Sequence, residues 1–291
     1  MAAYASVVVW AFEDVDVVAR WGRLRARRWG ACAAPLVVCV PGLAGNVENF
    51  AFLAERVAGD DLQLVAVDLR GRGHSETTPQ GTYGWERHAE DLFALADSLG
   101  FDRFGVVGQS MGASVAMKAA ELRAARLEAV VLIDVAGRVD PGVGTVIGGS
   151  LARLGRSFES TDQYLSEVRA SGLIDSWNSY WERAYRYDLV TTDGGVRTCT
   201  SADAVAEDRA YTATQDPHDR WSYLTMPTLL VRATREIAPG AGHVVPIAER
   251  ERFRGAVPHA EVVEVDGNHL TVNTHPDLAA AVRGFLLDVP A

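Results

Sequence analysis

The part of this chain that most restricts its fold is a serine flanked by glycines, Ser110, which lies between an apolar run and an alanine-rich run. Residues 104–107 predict a buried strand, Gly108 and Gly112 interrupt it, and residues 113–122 predict a helix. In such a turn the serine hydroxyl projects above the edge of a sheet, and a side chain at either glycine would collide with a neighbouring strand or helix. The helix also directs free N–H groups and its dipole towards the turn. Ser110 is therefore a candidate nucleophile on an α/β scaffold.

Strands and helices alternate on both sides of this segment. Apolar runs predict strands over 35–40, 62–67, 129–133, 227–232 and 261–265, and helical spacing predicts helices over 47–57, 83–99, 249–254 and 277–287. Two further strands, 6–12 and 22–29, are predicted to precede them as an antiparallel start, and alternating arginines in the second indicate a solvent-facing side. Because strands alternate with helices, we expect a mostly parallel central sheet with right-handed crossovers, flanked by helices.

Residues 138–222 interrupt this alternation. They show helical and loop patterns without a clear buried strand, and they are rich in tryptophan and tyrosine. We expect a mainly helical cap inserted into a core formed by residues 1–137 and 223–291, the whole making one domain. Ligand sites are usually apolar and concave, so some of the cap's aromatic residues should line a pocket over Ser110. The first candidates are Trp177, Tyr180, Trp181 and Tyr185.

Composition excludes several classes of function. The net charge of −10 gives no electrostatic basis for binding nucleic acid or an anionic membrane surface. The three cysteines have no metal-ligand spacing, and an odd number of them favours a reduced, cytoplasmic chain. No stretch looks like a signal peptide or a transmembrane helix. We therefore expect a cytoplasmic protein with a small-molecule substrate and with neither a metal nor another cofactor.

The order of motifs along the chain resembles that of the α/β-hydrolase family. The matching segments each follow a predicted strand, and they are 41–45, 68–75, 108–112, 227–236 and 266–269. The resemblance covers nearly the whole chain except the cap. Where the family usually has histidine before the first glycine-rich loop, this chain has Pro41. The resemblance implies the fold of that family and a catalytic triad in the chain order serine, acid, histidine.

By this resemblance His269 is the base that activates Ser110, since a neutral hydroxyl is a poor nucleophile without one. The acid has two candidates. Counting from residue 227, the family's usual position falls at Glu236, and we expect the acid there. The alternative is Asp134, at the end of the strand before the cap, where some members carry the acid. Without a catalytic role, Asp134 would be a strand-end residue that holds a loop.

The resemblance also implies an oxyanion hole formed by the backbone N–H groups of Leu43 and Met111. The expected reaction is cleavage of an ester, lactone or related acyl bond of a small, largely apolar molecule, through an acyl-enzyme. Acyl transfer, cyclisation or carbon–carbon bond hydrolysis on the same triad is the first alternative. A ligand-binding protein that keeps the fold without turnover is the second. Because fold does not fix function, the motifs do not name the substrate.

Overall fold

Continuous apolar runs form the centre of the main sheet. The computed structural model describes residues 11–289. The strands are β1 (Glu13–Ala19), β2 (Gly22–Trp29), β3 (Leu36–Val40), β4 (Gln63–Val67), β5 (Phe104–Gln109), β6 (Leu127–Ile133), β7 (Ser157–Phe158), β8 (Leu189–Thr192), β9 (Gly195–Thr198), β10 (Thr228–Ala233) and β11 (Glu261–Val265). Eight of them form one sheet in the order β1-β2-β4-β3-β5-β6-β10-β11. From β4 to β11 neighbouring strands are parallel, which confirms the predicted mostly parallel sheet.

Helices cover both faces of this sheet. They are α1 (Ala51–Val57), α2 (Trp85–Ser98), α3 (Met111–Arg123), α4 (Val143–Leu151), α5 (Thr161–Ala170), α6 (Ser179–Tyr187), α7 (Ala202–Ala213), α8 (Ile247–Ala256) and α9 (Pro276–Asp288). Buried side chains of α1 and α9 pack on one face, and those of α2, α3 and α8 pack on the other. β3, β4 and β10 are therefore buried along their whole length, as strands covered on both faces must be.

The antiparallel start differs from the prediction. Residues 6–10 of the first predicted strand lie outside the described residues, and the strand that pairs with β2 is β1. Its acidic residues lie opposite the arginines of β2, with Arg27 Nε 2.6 Å from Asp14 Oδ1 and Arg25 Nε 2.8 Å from Asp16 Oδ1. Arg27 is buried rather than solvent-facing, because its other side meets Glu48.

The insertion between β6 and β10 contains α4 to α7, and it also contains strands that the sequence analysis did not predict. β7, β9 and β8 form a three-stranded sheet in that order. β8 and β9 are joined by the two residues Asp193 and Gly194, since Thr192 pairs with Gly195. An Asp-Gly pair of this kind is a strong hairpin signal that was present in the sequence. No helix among the described residues has both the length and the apolar character needed to cross a membrane.

Candidate active site

Ser110 occupies the turn between β5 and α3, as predicted. Its φ of 55° and ψ of −123° are unusual for a residue with a side chain. The flanking glycines make this turn possible. A Cβ at Gly108 would lie 2.3 Å from the carbonyl oxygen of Gly112, and one at Gly112 would lie 2.0 Å from the carbonyl oxygen of Val40. Such strain is typical of functional sites, where the surrounding structure stabilises it.

The base predicted from the motif order lies beside this serine. His269 follows β11, and its Nε2 is 2.9 Å from Ser110 Oγ. The adjacent Asn268 fixes the loop, because its side-chain oxygen accepts hydrogen bonds from the amides of Leu270 and Thr271 at 3.0 and 2.9 Å. The imidazole is 4% exposed, so its orientation is set by packing as well as by these bonds.

Asp134, not Glu236, is the carboxylate that contacts the histidine. Asp134 Oδ2 lies 2.9 Å from His269 Nδ1, and Asp134 Oδ1 accepts a 2.9 Å hydrogen bond from the amide of Ala233. Asp134 follows β6 directly, with a φ of 51°. It is 1% exposed, so its negative charge is shielded from water and acts strongly on the ring. Both ring nitrogens of His269 therefore have the partners that a catalytic triad needs.

The assignment of the acid to Glu236 is wrong on this geometry. Glu236 is exposed, and its Oε2 accepts a 2.8 Å hydrogen bond from the amide of Gly240 within its own loop. The physical reason lies in the order of the strands. β6 is the direct neighbour of β5, which carries Ser110, whereas β10 is one strand further away. The histidine loop reaches back across the end of β10, so the imidazole lies over the end of β6.

The loop that contains Leu43 lies against the serine. A Cβ at Gly42 would be 3.1 Å from Ser110 Cβ and 2.6 Å from Gln109 Oε1, so only glycine allows this approach. Leu43 and Met111 both border the cavity beside Ser110. Within residues 11–289, neither of their amides donates a hydrogen bond to the protein. Free N–H groups beside a serine are what an oxyanion hole requires, and the assignment of Leu43 and Met111 to one stays a prediction.

A buried ion pair joins this loop to the insertion. The Arg72 side chain donates from Nε to the carbonyl oxygen of Leu43 at 3.0 Å and from Nη2 to Asp208 Oδ2 at 2.6 Å. Asp208 lies in α7, and His88 Nε2 is 3.0 Å from the same oxygen. Burial by itself raises the pKa of Asp208, but His88 and Arg72 outweigh it and hold that pKa well below its usual range. Arg72 lies in the motif segment 68–75, but the sequence did not predict this ion pair, because its partner lies 136 residues away.

A second buried carboxylate connects the core with α6. Asp68 Oδ1 accepts from the amide of Val47, and Asp68 Oδ2 accepts from the amide of His74 and from the hydroxyl of Tyr187, each at 2.8 Å. Burial raises the pKa of Asp68 to about 7, against the opposing effect of these hydrogen bonds. Asp68 lies in a motif segment, but its contacts are those of a brace between loops.

The cavity over Ser110 has a volume of about 840 Å³ and is lined by both core and insertion. Of the predicted aromatic residues, Trp181 and Tyr185 line it. Trp177 and Tyr180 do not. Trp177 stacks on Tyr185, with ring centroids 5.6 Å apart, and Tyr180 packs against Phe52 at 5.2 Å and contacts Glu55. The prediction was wrong for Tyr180 because its side of α6 meets α1, and it was wrong for Trp177 because that residue precedes α6 and packs behind Tyr185 within the insertion.

Potential metal ligands are not gathered at this site. Across residues 11–289, His, Cys, Asp and Glu side chains form no group of three or more that could hold a metal ion. The polar groups near Ser110 are those of the triad, the free amides and several arginines that border the cavity. Sequence analysis missed the arginines, since an arginine that enters a cavity has the same local pattern as one on the surface.

Comparison with known proteins agrees with the fold. The family model described as "alpha/beta hydrolase fold" matches residues 35–276. N-formylmaleamate deformylase of Pseudomonas putida is 37% identical over 107 residues, which is 37% of this chain and 39% of that protein. A Haemophilus influenzae protein with the provisional name esterase/lipase is 29% identical over 258 residues, covering 87% of this chain and 83% of that protein. For the first three curated relatives, the match spans only 36% to 52% of their own length.

Solved structures show the same fold over almost the whole chain. E-2-(acetamidomethylene)succinate hydrolase superposes with a TM-score of 0.81 at 24% identity, covering 95% of this chain and 99% of that one. The enol-lactonase of Burkholderia xenovorans superposes with a TM-score of 0.70 at 20% identity, covering 94% and 100%. The family match covers well over half of the chain, and the chain therefore belongs to the α/β-hydrolase family.

Proposed function

We propose that this protein is a serine hydrolase that cleaves an ester, lactone or related acyl bond of a small molecule through an acyl-enzyme. One observation carries the proposal: Ser110 Oγ, both ring nitrogens of His269 and the carboxylate of Asp134 form a continuous chain of 2.9 Å contacts. This series of contacts ends at a cavity large enough for a small-molecule substrate. Similar proteins named as a deformylase and an esterase/lipase support the same class of reaction.

The mechanism follows from the contacts. Ser110 Oγ attacks the carbonyl carbon while His269 Nε2 takes the hydroxyl proton. Asp134 accepts the Nδ1–H hydrogen bond, which fixes the tautomer and stabilises the imidazolium that forms. The amides of Leu43 and Met111 bind the negative oxygen of the tetrahedral intermediate, and each is worth about 3 kcal/mol in the transition state.

In the next step His269 acts as an acid instead of a base. His269 gives its proton to the leaving group as the carbon–heteroatom bond breaks, which leaves the acyl group on Ser110. The cavity then admits a water molecule, and His269 takes its proton as the water attacks the acyl carbon. His269 then returns this proton to Ser110 Oγ as the bond between Oγ and the acyl carbon breaks, which releases the acid and restores the serine hydroxyl.

The acyl-enzyme is the intermediate to detect. Mixing the protein with 4-nitrophenyl butyrate should release a burst of nitrophenol, and intact-protein mass spectrometry should show one butyryl group on a peptide containing Ser110. His269→Ala should abolish the burst, since the serine then lacks its base. The proposal fails if a panel of ester, lactone and amide substrates gives neither turnover nor an acyl adduct. Added alcohols that divert the acyl group into new esters would instead indicate an acyltransferase.

A further inference from the structure

The cavity over Ser110 carries a charge opposite to that of the protein. The chain has a net charge of −10, yet the charged side chains that line the cavity, apart from His269, are four arginines and two acids. They are Arg138, Arg153, Arg156, Arg209, Glu167 and Asp188. Field lines concentrate in a cleft with low-dielectric walls, so this imbalance favours a negatively charged ligand.

Among these arginines, Arg153 is both half-buried and without an acidic partner. Arg156 lies 3.0 Å from Glu167, and Arg138 lies 3.0 Å from Asp216. Arg153, in contrast, has no carboxylate within 4.0 Å anywhere in the described chain. Arg209 also has no carboxylate within 4.0 Å in the described part of the chain, but this residue is exposed to bulk water. Arg153 is thus the positive charge that water compensates least.

Neutral groups hold the guanidinium of Arg153 in place. Its Nε donates to the hydroxyl of Tyr164 at 3.1 Å, its Nη1 contacts the carbonyl oxygen of Ser150, and the group lies 5.3 Å from the ring centroid of Tyr185. Within residues 11–289 its Nη2 makes no hydrogen bond. These contacts orient the planar group but leave its charge without compensation, and guanidinium does not lose its proton in proteins.

The nearby acid attracts Arg153 but does not form an ion pair with it. Asp188 is 2% exposed, and its Oδ1 accepts hydrogen bonds from the amide and hydroxyl of Thr200. Burial raises the pKa of the Asp188 carboxyl, against the opposing effects of Thr200 and the charge of Arg153. It also lies beyond ion-pair distance from Arg153. A buried charge without a partner is costly, and a bound anion would remove that cost.

We propose that the substrate carries a carboxylate and that Arg153 binds it while the scissile carbonyl lies at Ser110. This rests on the proposed function, since it defines the substrate of the same site. The planar fork of guanidinium matches the two oxygens of a carboxylate, and its hydrogen bonds to an anion are about twice as strong as neutral ones. The apolar wall that includes Trp181 contacts the rest of the molecule.

Esters that differ in one charge test this inference. The probes are neutral 4-nitrophenyl hexanoate and the mono-4-nitrophenyl esters of glutaric, adipic and pimelic acid. For the wild-type protein we expect a higher kcat/KM on at least one of the monoanionic esters than on the hexanoate. Arg153→Met should lower the ratio of kcat/KM between that ester and the hexanoate by about 10- to 100-fold. Arg156→Met is the matched control and should change this ratio less than about threefold, because Glu167 already neutralises Arg156.

A binding measurement separates this inference from the proposed hydrolysis. Adipate should bind to Ser110→Ala by calorimetry, and the double variant Ser110→Ala with Arg153→Met should bind it about 10- to 100-fold more weakly. Arg153→Lys serves as the second variant if the methionine variant does not fold, with a smaller loss in the same ratio. Hexanoate turnover without any preference for the acids, or an equal loss on both classes of ester, would overturn the carboxylate site and leave the hydrolase standing. Adipate binding that depends on Arg153, without turnover of any ester, would support the carboxylate site and overturn the proposed hydrolysis.

Discussion

The core and the insertion contribute to the active site in different ways. Ser110, Asp134 and His269 each follow a strand of the parallel sheet, where the register of the strands fixes their separation. The insertion contributes aromatic residues and arginines that line the cavity but take no part in the triad. We therefore expect substitutions in the core to alter the turnover of every substrate. Substitutions in the insertion should instead alter which substrate is preferred.

The largest effect should come from the nucleophile. Ser110→Ala removes the atom that attacks the carbonyl, so we expect turnover of every active ester to fall by about 10⁴-fold or more. Ser114→Ala, one turn along α3, should change turnover less than about threefold: Ser114 borders the same cavity, but among the described residues its hydroxyl makes no hydrogen bond to Ser110, Asp134 or His269. Initial rates with 4-nitrophenyl butyrate measure both. Substantial activity of the Ser110→Ala protein would contradict the proposal that a residue of the core is the nucleophile.

The second prediction compares the two carboxylates that were candidates for the acid, Asp134 and Glu236. Asp134→Asn should lower kcat by about 10⁴-fold, as in the serine-protease triad, because the neutral amide no longer stabilises the imidazolium. Glu236→Gln should change kcat less than about threefold, because Glu236 only accepts a bond from the amide of Gly240. Both variants keep the side-chain shape, so steady-state kinetics compare charge alone. Equal losses in the two variants would contradict the assignment of Asp134.

The ion pair between Arg72 in the core and Asp208 in the insertion should contribute to the free energy of unfolding. Arg72→Met leaves Asp208 buried without its guanidinium partner, and breaking a buried pair in this way costs about 3–5 kcal/mol. Urea denaturation should show that loss in the free energy of unfolding. Adding Asp208→Leu to Arg72→Met should recover part of it, since the buried carboxylate is then removed together with the guanidinium, while His88 loses its acceptor. A loss below about 1 kcal/mol would mean that the pair does not hold the two regions together.

The cavity wall should affect selectivity. Trp181→Phe shortens a side chain that lines the cavity, so we expect the preference among acyl chain lengths to shift by about 3- to 10-fold. Trp177→Phe changes a ring that stacks behind Tyr185, and the same preference should shift less than about twofold. The ratio of kcat/KM values for butyrate, hexanoate and octanoate esters measures this. Equal shifts would show that the two rings contact the substrate alike.

The smallest effect concerns pH and Asp68. Burial raises the pKa of Asp68 to about 7, so its folded pKa lies above the unfolded one. A group of this kind favours the folded state below its unfolded pKa, and that contribution is lost as pH rises through 7. From pH 6 to pH 8, wild type should lose about 1 kcal/mol of unfolding free energy relative to Asp68→Asn. A difference between the two proteins that does not change with pH would show that Asp68 is already ionised at pH 6.

The sequence predicted the parallel sheet and the turn of Ser110 from local pattern, and it predicted the position of His269 beside Ser110 from the order of the motifs. Ser110 lies between glycines that its turn requires, and His269 follows the last strand. The acid was assigned incorrectly because Glu236 and Asp134 both follow strands, and only the tertiary path of the histidine loop selects between them. The insertion was predicted in outline, but the β8–β9 hairpin was missed although its turn signal was present.

The arginines show the limit of sequence analysis most clearly. Arg72 is fully buried against Asp208, Arg27 is buried against Asp14, and Arg153 enters the cavity without an acidic partner. Each of these environments depends on how the chain folds back on itself, over 136 residues for Arg72, 13 for Arg27 and 11 for Arg153. A single arginine in a loop or a strand carries no local signal of which one it has, so pairing and burial had to come from the structure.

The most direct test of the account is labelling with a fluorophosphonate probe, which reacts with a serine that a neighbouring base activates. The wild-type protein should take up one probe molecule, and peptide mass spectrometry should place it on Ser110. His269→Ala and Asp134→Asn should react far more slowly, and Glu236→Gln at close to the wild-type rate. Labelling of another serine, or labelling that survives Ser110→Ala, would contradict the claim that Ser110, His269 and Asp134 form the catalytic centre.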